Sequence, residues 1–287
     1  MNLLSGLEKF GLEISEDMDI FEEDKPKTSA STEAAGEKPD IPTEDMFLLE
    51  KGIRCPVCDK VFKTKMIKNG RVKRLESDKD LRPRHQYIDT LKYDICSCPH
   101  CGYTAMTRFF PHITNVQSKL IKENICSKFH AQIEPEPAVY DYDRALERYK
   151  LSLFNTIVKK GKTSEKAYTC LKIAWLYRGK AETMDAATEE GKAAIAECKK
   201  EEEAFYKQAY DGMLKAVSTE MFPICGMDEL TVDYLIAVLS MEFEHYDMAA
   251  KLLSGILVSQ AANKRIKDRA RDLKDDLRKK MKEQKNG

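Results

Sequence analysis

The chain has 287 residues, 42% hydrophobic and 33% charged, with 48 basic side chains against 48 acidic ones. Such a length admits two domains or one extended array, and the apolar share is that of a globular protein rather than a disordered one. The neutral total hides an asymmetry: residues 1–45 carry 13 acids against Lys9, Lys25, Lys27 and Lys38, a net of −9, which leaves +9 on residues 46–287.

Met1-Asn2-Leu3-Leu4 has neither the basic region nor the apolar core of a signal peptide. The longest apolar run, Tyr234 to Leu239, is far short of a membrane span, so a cytoplasmic location is expected. Leu3, Leu4, Leu7 and Phe10 fall at helical spacing, and Lys25 to Thr43 is rich in Pro, Ser, Thr, Ala and Glu. Residues 1–45 therefore read as an acidic disordered tail carrying a short amphipathic segment, suited to docking on a partner or in the protein's own groove.

Residues 46–114 hold the strongest chemical signal. Cys55-Pro56-Val57-Cys58 is answered, after 39 intervening residues, by Cys98-Pro99-His100-Cys101. Each pair sets two thiolates on a tight turn, and two facing turns supply four sulfurs at tetrahedral corners, the ligand set of a structural zinc site. Asp59 and Gly102 follow the two pairs and suit the left-handed backbone that such turns require. Zinc is the expected metal and iron in a rubredoxin-like site the alternative, because four sulfurs alone do not separate them. The nine cysteines are an odd count in a pattern unlike a disulfide framework. Cys126, Cys170, Cys198 and Cys225 read as buried small hydrophobes. Cys96 makes a Cys-x-Cys with Cys98 and reads as a residue of the entering strand, one pleat away, with an alternative ligand or a redox-labile thiol as the other readings.

Asn69-Gly70 between Val61–Lys68 and Arg71–Leu75 predicts a hairpin, with a further strand over Tyr87–Ile95. The module is thus a small β zinc ribbon whose polar insert, residues 76–86, reads as a loop. Lys60, Lys63, Lys65, Lys68, Arg71, Lys73 and Arg74 form an acid-free run over residues 60–75. Nucleic-acid contact through this basic hairpin, or metal and redox sensing through the thiolates, is the alternative function. A solvated edge kept soluble by lysine is the plainer account of the run.

Leu120, Ile121, Ile125 and Phe129 predict a connecting helix in residues 115–137, closed by Glu134-Pro135-Glu136-Pro137. Residues 138–262 read as helix after helix. Tyr142, Ala145, Tyr149 and Leu153 return as Tyr246, Ala249, Leu253 and Leu257, with a looser copy around Glu203–Ala209 and partner helices at Ala167–Tyr177 and Thr231–Phe243. Small residues that let paired helices approach, spaced from large ones that fill gaps, are the mark of tetratricopeptide-like (TPR-like) repeats. Residues 263–287, with Ile266, Ala270, Leu273 and Leu277 on one face, form a basic capping helix. The fold expected is α+β, mostly α.

No phosphate loop, serine elbow or zinc-protease motif is present, and a four-cysteine metal has no open position for water, so no enzyme activity is expected. Cys55-Pro-Val-Cys58, Asp78-Lys-Asp80-Leu-Arg82-Pro83, Tyr93-Asp94, Cys98-Pro-His-Cys101-Gly-Tyr103 and Leu171-Lys-Ile-Ala-Trp175-Leu-Tyr-Arg178 together resemble the bacterial domain-of-unknown-function 2225 family. The resemblance implies a zinc-ribbon module followed by TPR-like helices and carries no substrate with it. The function expected is a non-enzymatic scaffold or adaptor that takes a protein or peptide in its helical groove.

Overall fold

The computed structural model describes residues 42–131 and 136–286, so the amphipathic segment Leu3–Phe10 and the acidic stretch before Pro42 lie outside the described residues. The described chain opens with a 3-10 turn, Glu44–Phe47, whose Glu44 carboxylate accepts from Lys92 and from the Tyr93 hydroxyl at 2.7 Å.

Two small antiparallel hairpins follow. Strand β1 (Leu48–Arg54) pairs with β2 (Val61–Ile67) from Leu48 opposite Ile67 to Arg54 opposite Val61. Strand β3 (Ile95–Ser97) pairs with β4 (Thr104–Met106). The turn of each hairpin is one of the Cys-x2-Cys segments. The strand predicted at Val61–Lys68 is present, but its partner lies upstream, not at Arg71–Leu75. Gly70 does take a left-handed φ of +73°, yet Asn69-Gly70 turns the chain away from β2. The reason is competition: β1 meets β2 over seven residues. The chain from Lys73 closes instead on residues 84–86, with Leu75 N bonding Arg84 O at 2.9 Å and Gln86 N bonding Lys73 O at 3.0 Å. The strand expected over Tyr87–Ile95 is replaced by a 3-10 turn, Thr90–Tyr93, capped by the Asp89 carboxylate on Leu91 N at 3.0 Å. Leu91, Lys92 and Tyr93 are buried in succession, which the alternation of a half-exposed strand would forbid.

Helix α1 (Asn115–Ile121) opens with a capping box between Thr114 and Gln117 and continues as a π turn over Lys122–Cys126. Ile121 and Ile125 pack into the cysteine cluster along with Phe62, Tyr103 and Phe110, so the connecting helix belongs to the ribbon's own core. Six longer helices complete the described chain: α2 (Tyr142–Val158), α3 (Thr163–Glu182), α4 (Glu189–Thr219), α5 (Glu229–Glu242), α6 (Tyr246–Val258) and α7 (Lys264–Asn286). Each motif read as a repeat falls on one of them, and its small and large positions are inward: Ala145, Tyr149, Ala249 and Leu253 are all fully buried. Ala270, Leu273 and Leu277 bury the inner face of α7. Helix α3 is buried on nearly every side, which explains why it lacks a one-sided apolar stripe. The fold is α+β and mostly α, as expected. From Pro42 onward, ribbon and helices form one compact unit.

Candidate metal centre and the segment that anchors it

The first turn, Cys55 to Lys60, and the second, Cys98 to Tyr103, repeat one hydrogen-bond pattern. Asp59 N bonds Cys55 O at 2.9 Å and Cys55 N bonds Lys60 O at 2.9 Å; Gly102 N bonds Cys98 O at 3.0 Å and Cys98 N bonds Tyr103 O at 2.9 Å. Asp59 (φ +63°) and Gly102 (φ +74°) occupy the left-handed position in each turn, as predicted. The two positions are not equivalent. A Cβ on Gly102 would lie 2.5 Å from the Phe129 ring, whereas Asp59 is exposed and bonds Arg54 at 3.1 Å.

The turns face each other and bring four sulfurs together. The Sγ atoms of Cys55, Cys58, Cys98 and Cys101 all lie within 4.8 Å of one another, with Cys55–Cys101 at 3.7 Å and Cys58–Cys98 at 3.6 Å. A disulfide would need about 2.0 Å. Four sulfurs held about 2.3 Å from a central ion at tetrahedral corners stand roughly 3.8 Å apart. The observed spacing is that of ligands around an ion, not of bonded sulfurs, and the group could hold a metal ion. The cluster's electrostatics agree. Hydrogen bonds from Cys101 and then Cys55 pull Cys98 down to about 2, while Cys101 is pushed far above its ordinary range by Cys55 and then Cys98. Thiolates packed this closely repel one another, and a dication at the centre would offset that repulsion.

Cys96 is not part of the group. It is 2% exposed on β3 and its thiol points to Thr107 Oγ1 at 3.9 Å, with burial pushing the thiol up. Cys126 is an unexpected neighbour: the π turn packs it, partly buried, against the cluster that holds the four cysteines, and burial raises its thiol. Nothing in the spacing Cys101 to Cys126 announces that approach, because it depends on a five-residue turn inside a helix. Cys170, Cys198 and Cys225 are buried singly. His100, between the second pair of cysteines, is exposed.

The basic run is less free than its sequence suggests. Glu50 on β1 lies within 3.4 Å of Lys63 and 3.6 Å of Lys65, Lys65 is only 9% exposed, and Lys68 donates to Met46 O at 2.9 Å.

The insert 76–86 departs furthest from expectation. It is not a surface loop but a polar finger, with its tip between α3 and α4. Asp80 is 2% exposed, and its Oδ2 accepts from Trp175 Nε1 and the Tyr206 hydroxyl at 2.8 Å and pairs with Arg178 at 2.9 Å. Arg82, also 2% exposed, donates to Glu182 at 3.1 Å and to Asp89 at 3.3 Å. Arg84 grips Glu182 through two bonds of 2.6 Å and Asp78 through one of 2.7 Å. Gly179 lets this happen, since a Cβ there would meet Arg82 Nη2 at 2.6 Å. The ribbon's backbone is held too: Asn155 Nδ2 donates to Gly102 O at 3.1 Å, Arg148 to Ile95 O at 2.7 Å, and the Tyr149 hydroxyl to Leu91 O at 3.1 Å. Buried Lys172 pairs with Asp94. Several residues that read as repeat positions are thus docking residues for the ribbon.

A family model described as an uncharacterised protein conserved in bacteria (DUF2225) matches residues 48–277, and the chain belongs to that family. The match takes in both cysteine turns, the polar finger and most or all of each long helix. No curated protein and no solved structure matches the chain.

Proposed function

We propose that this family member is a non-enzymatic scaffold in which one structural zinc ion, held by Cys55, Cys58, Cys98 and Cys101, fixes the ribbon in shape against the helices. The observation that supports it is the four-sulfur group itself: ligand-like spacing, burial of three of the four thiols and matched turns on both sides. Four thiolates fill a tetrahedral shell, so such an ion supplies folding energy rather than a water-activating centre. Zinc is favoured over iron because the site is enclosed by Phe62, Tyr103, Phe110, Ile121 and Ile125, with nothing to mark an electron-transfer face. The alternation of paired helices supports a TPR-like array, whose surface beyond the ribbon-docking faces of α2 and α3 is the place for a protein or peptide partner. The nucleic-acid alternative is weakened by Glu50, a carboxylate set beside Lys63 and Lys65 in the middle of the basic run.

Elemental analysis of the purified full chain should give one zinc per chain, with colourless protein. Cys55→Ser and Cys98→Ser should each lose the metal, and Cys96→Ser should keep it. Stoichiometric iron with visible absorption, or metal retained in both of the first two variants, would sink this reading.

A further inference from the structure

We propose that the cavity between residues 74–81 and the first turns of α5 and α7 binds the phosphate group of a small phosphorylated ligand. The cavity measures about 290 Å3, and Arg74, Arg265 and Arg269 line it together with Ser77, Thr231 and Asn263; no carboxylate lines it. It shares no residue with the cysteine group.

Three observations converge. First, none of the three guanidinium groups pairs with a carboxylate within 4.0 Å among the described residues, whereas Arg271 and Arg278 further along α7 pair with Asp268 and Asp275. Arginine is the side chain whose planar fork fits a phosphate in bidentate fashion, and three around one cavity make a strong anion trap. Secondly, the first turn of α7 carries Lys264, Arg265 and Lys267 and no acid. The helix dipole makes cations unfavourable there, and α2, α4 and α5 all place acids in the same turn. A bound anion offsets that conflict. Thirdly, the lining is organised rather than loose. Arg269 Nη2 donates to the Oγ of buried Ser77 at 2.7 Å, which fixes that guanidinium, and Asn263 Oδ1 accepts from Ile266 N at 3.0 Å, which leaves the Asn263 amide hydrogens for a ligand.

The size favours a small molecule over free phosphate alone. A second cavity of about 430 Å3 shares Arg74 and Leu81 with the first, and Tyr168 and Trp175 line its other part. A ligand whose phosphate sits among the arginines can extend over Leu81 along these rings. Cavities of this combined size are in the range of metabolite sites. A discrete pocket, not a stripe of cations, also argues against nucleic acid as the ligand.

Calorimetric titration of the purified full chain at low salt with inorganic phosphate, pyrophosphate, and adenosine mono-, di- and triphosphate tests the site, with adenosine as the uncharged control. Saturable one-to-one binding of at least one phosphorylated probe is expected, with none for adenosine. Arg265→Gln and Arg74→Gln, both exposed and free of internal ion pairs, should each weaken it by about tenfold or more with an unchanged melting temperature. Arg278→Gln on the same helix should leave it unchanged. Arg269→Gln should weaken binding as well, but its Ser77 bond gives it a structural part, so the other two variants decide. Absence of saturable binding by every probe, equal weakening in Arg278→Gln, or tighter binding of a short single-stranded oligonucleotide than of every small probe would each overturn the proposal.

Discussion

Gly102 and Asp59 fill the same left-handed position in two matched turns, yet they differ in what surrounds them. Gly102→Ala meets both an unfavourable φ and the Phe129 ring 2.5 Å from the new Cβ, and should cost about 3 kcal/mol in chemical denaturation. Asp59→Gly relieves the backbone and loses only an exposed pair with Arg54, so its stability should change by less than about 1 kcal/mol. A cost at Gly102→Ala no larger than about 1–2 kcal/mol, that of the left-handed backbone alone, would show that the Phe129 ring yields freely. Asp80 is the other residue on which much depends. Asp80→Ala strips the partner from Trp175, Tyr206 and Arg178 in a buried setting and should cost about 3–5 kcal/mol, with a shift in the fluorescence of Trp175. A variant as stable as the parent would mean that water replaces the carboxylate.

At the level of elements, α3 sets the arrangement. Its polar residues are matched one by one to the ribbon and the finger: Lys172 to Asp94, Trp175 and Arg178 to Asp80, Glu182 to Arg82 and Arg84. A glycine inside a helix is ordinarily improved by alanine, by about 1 kcal/mol. Here the sign should reverse. Gly179→Ala pushes against Arg82 and Tyr142 and should destabilise by about 1–3 kcal/mol, measured as a lower denaturation midpoint at unchanged m-value. A higher midpoint would show that the finger yields freely. The two hairpins carry a similar lesson: each is closed by a cysteine turn, so the sulfurs that could hold a metal ion are positioned by the strand pairing on either side of them.

For the whole molecule, the ribbon and the helices are one thermodynamic unit more than two linked domains. Asp80, Arg82 and Arg84 of the finger, the carbonyls of Leu91, Ile95 and Gly102, and Asp94 all find partners on α2, α3 or α4. Cut from those partners, buried Asp80 and Arg82 would be solvated and the insert would have no reason to hold its shape. A fragment of residues 42–131 supplied with zinc should therefore show no cooperative thermal transition by near-UV circular dichroism, while the full chain does. A cooperative melt of the fragment would make the ribbon autonomous and the finger a mere tether.

What is local could be read from residue spacing. Two Cys-x2-Cys turns with Asp59 and Gly102 behind them, the helices with their inward Ala145, Ala249 and Ala270, and the mostly α class all follow from short-range spacing, and short-range spacing is what turns and helix faces obey. Tertiary structure alone decided which strand pairs with which, because Asn69-Gly70 suits a hairpin but β1 already holds β2. It decided that Asp80 and Arg82 in the polar stretch are buried, because the partners that neutralise them lie about a hundred residues away on α3 and α4. It also gathered Arg74, Arg265 and Arg269 around one cavity from two distant segments. A charged residue reads as surface until the chain brings its counter-charge to it, and that pairing is a property of the fold, not of any window of sequence.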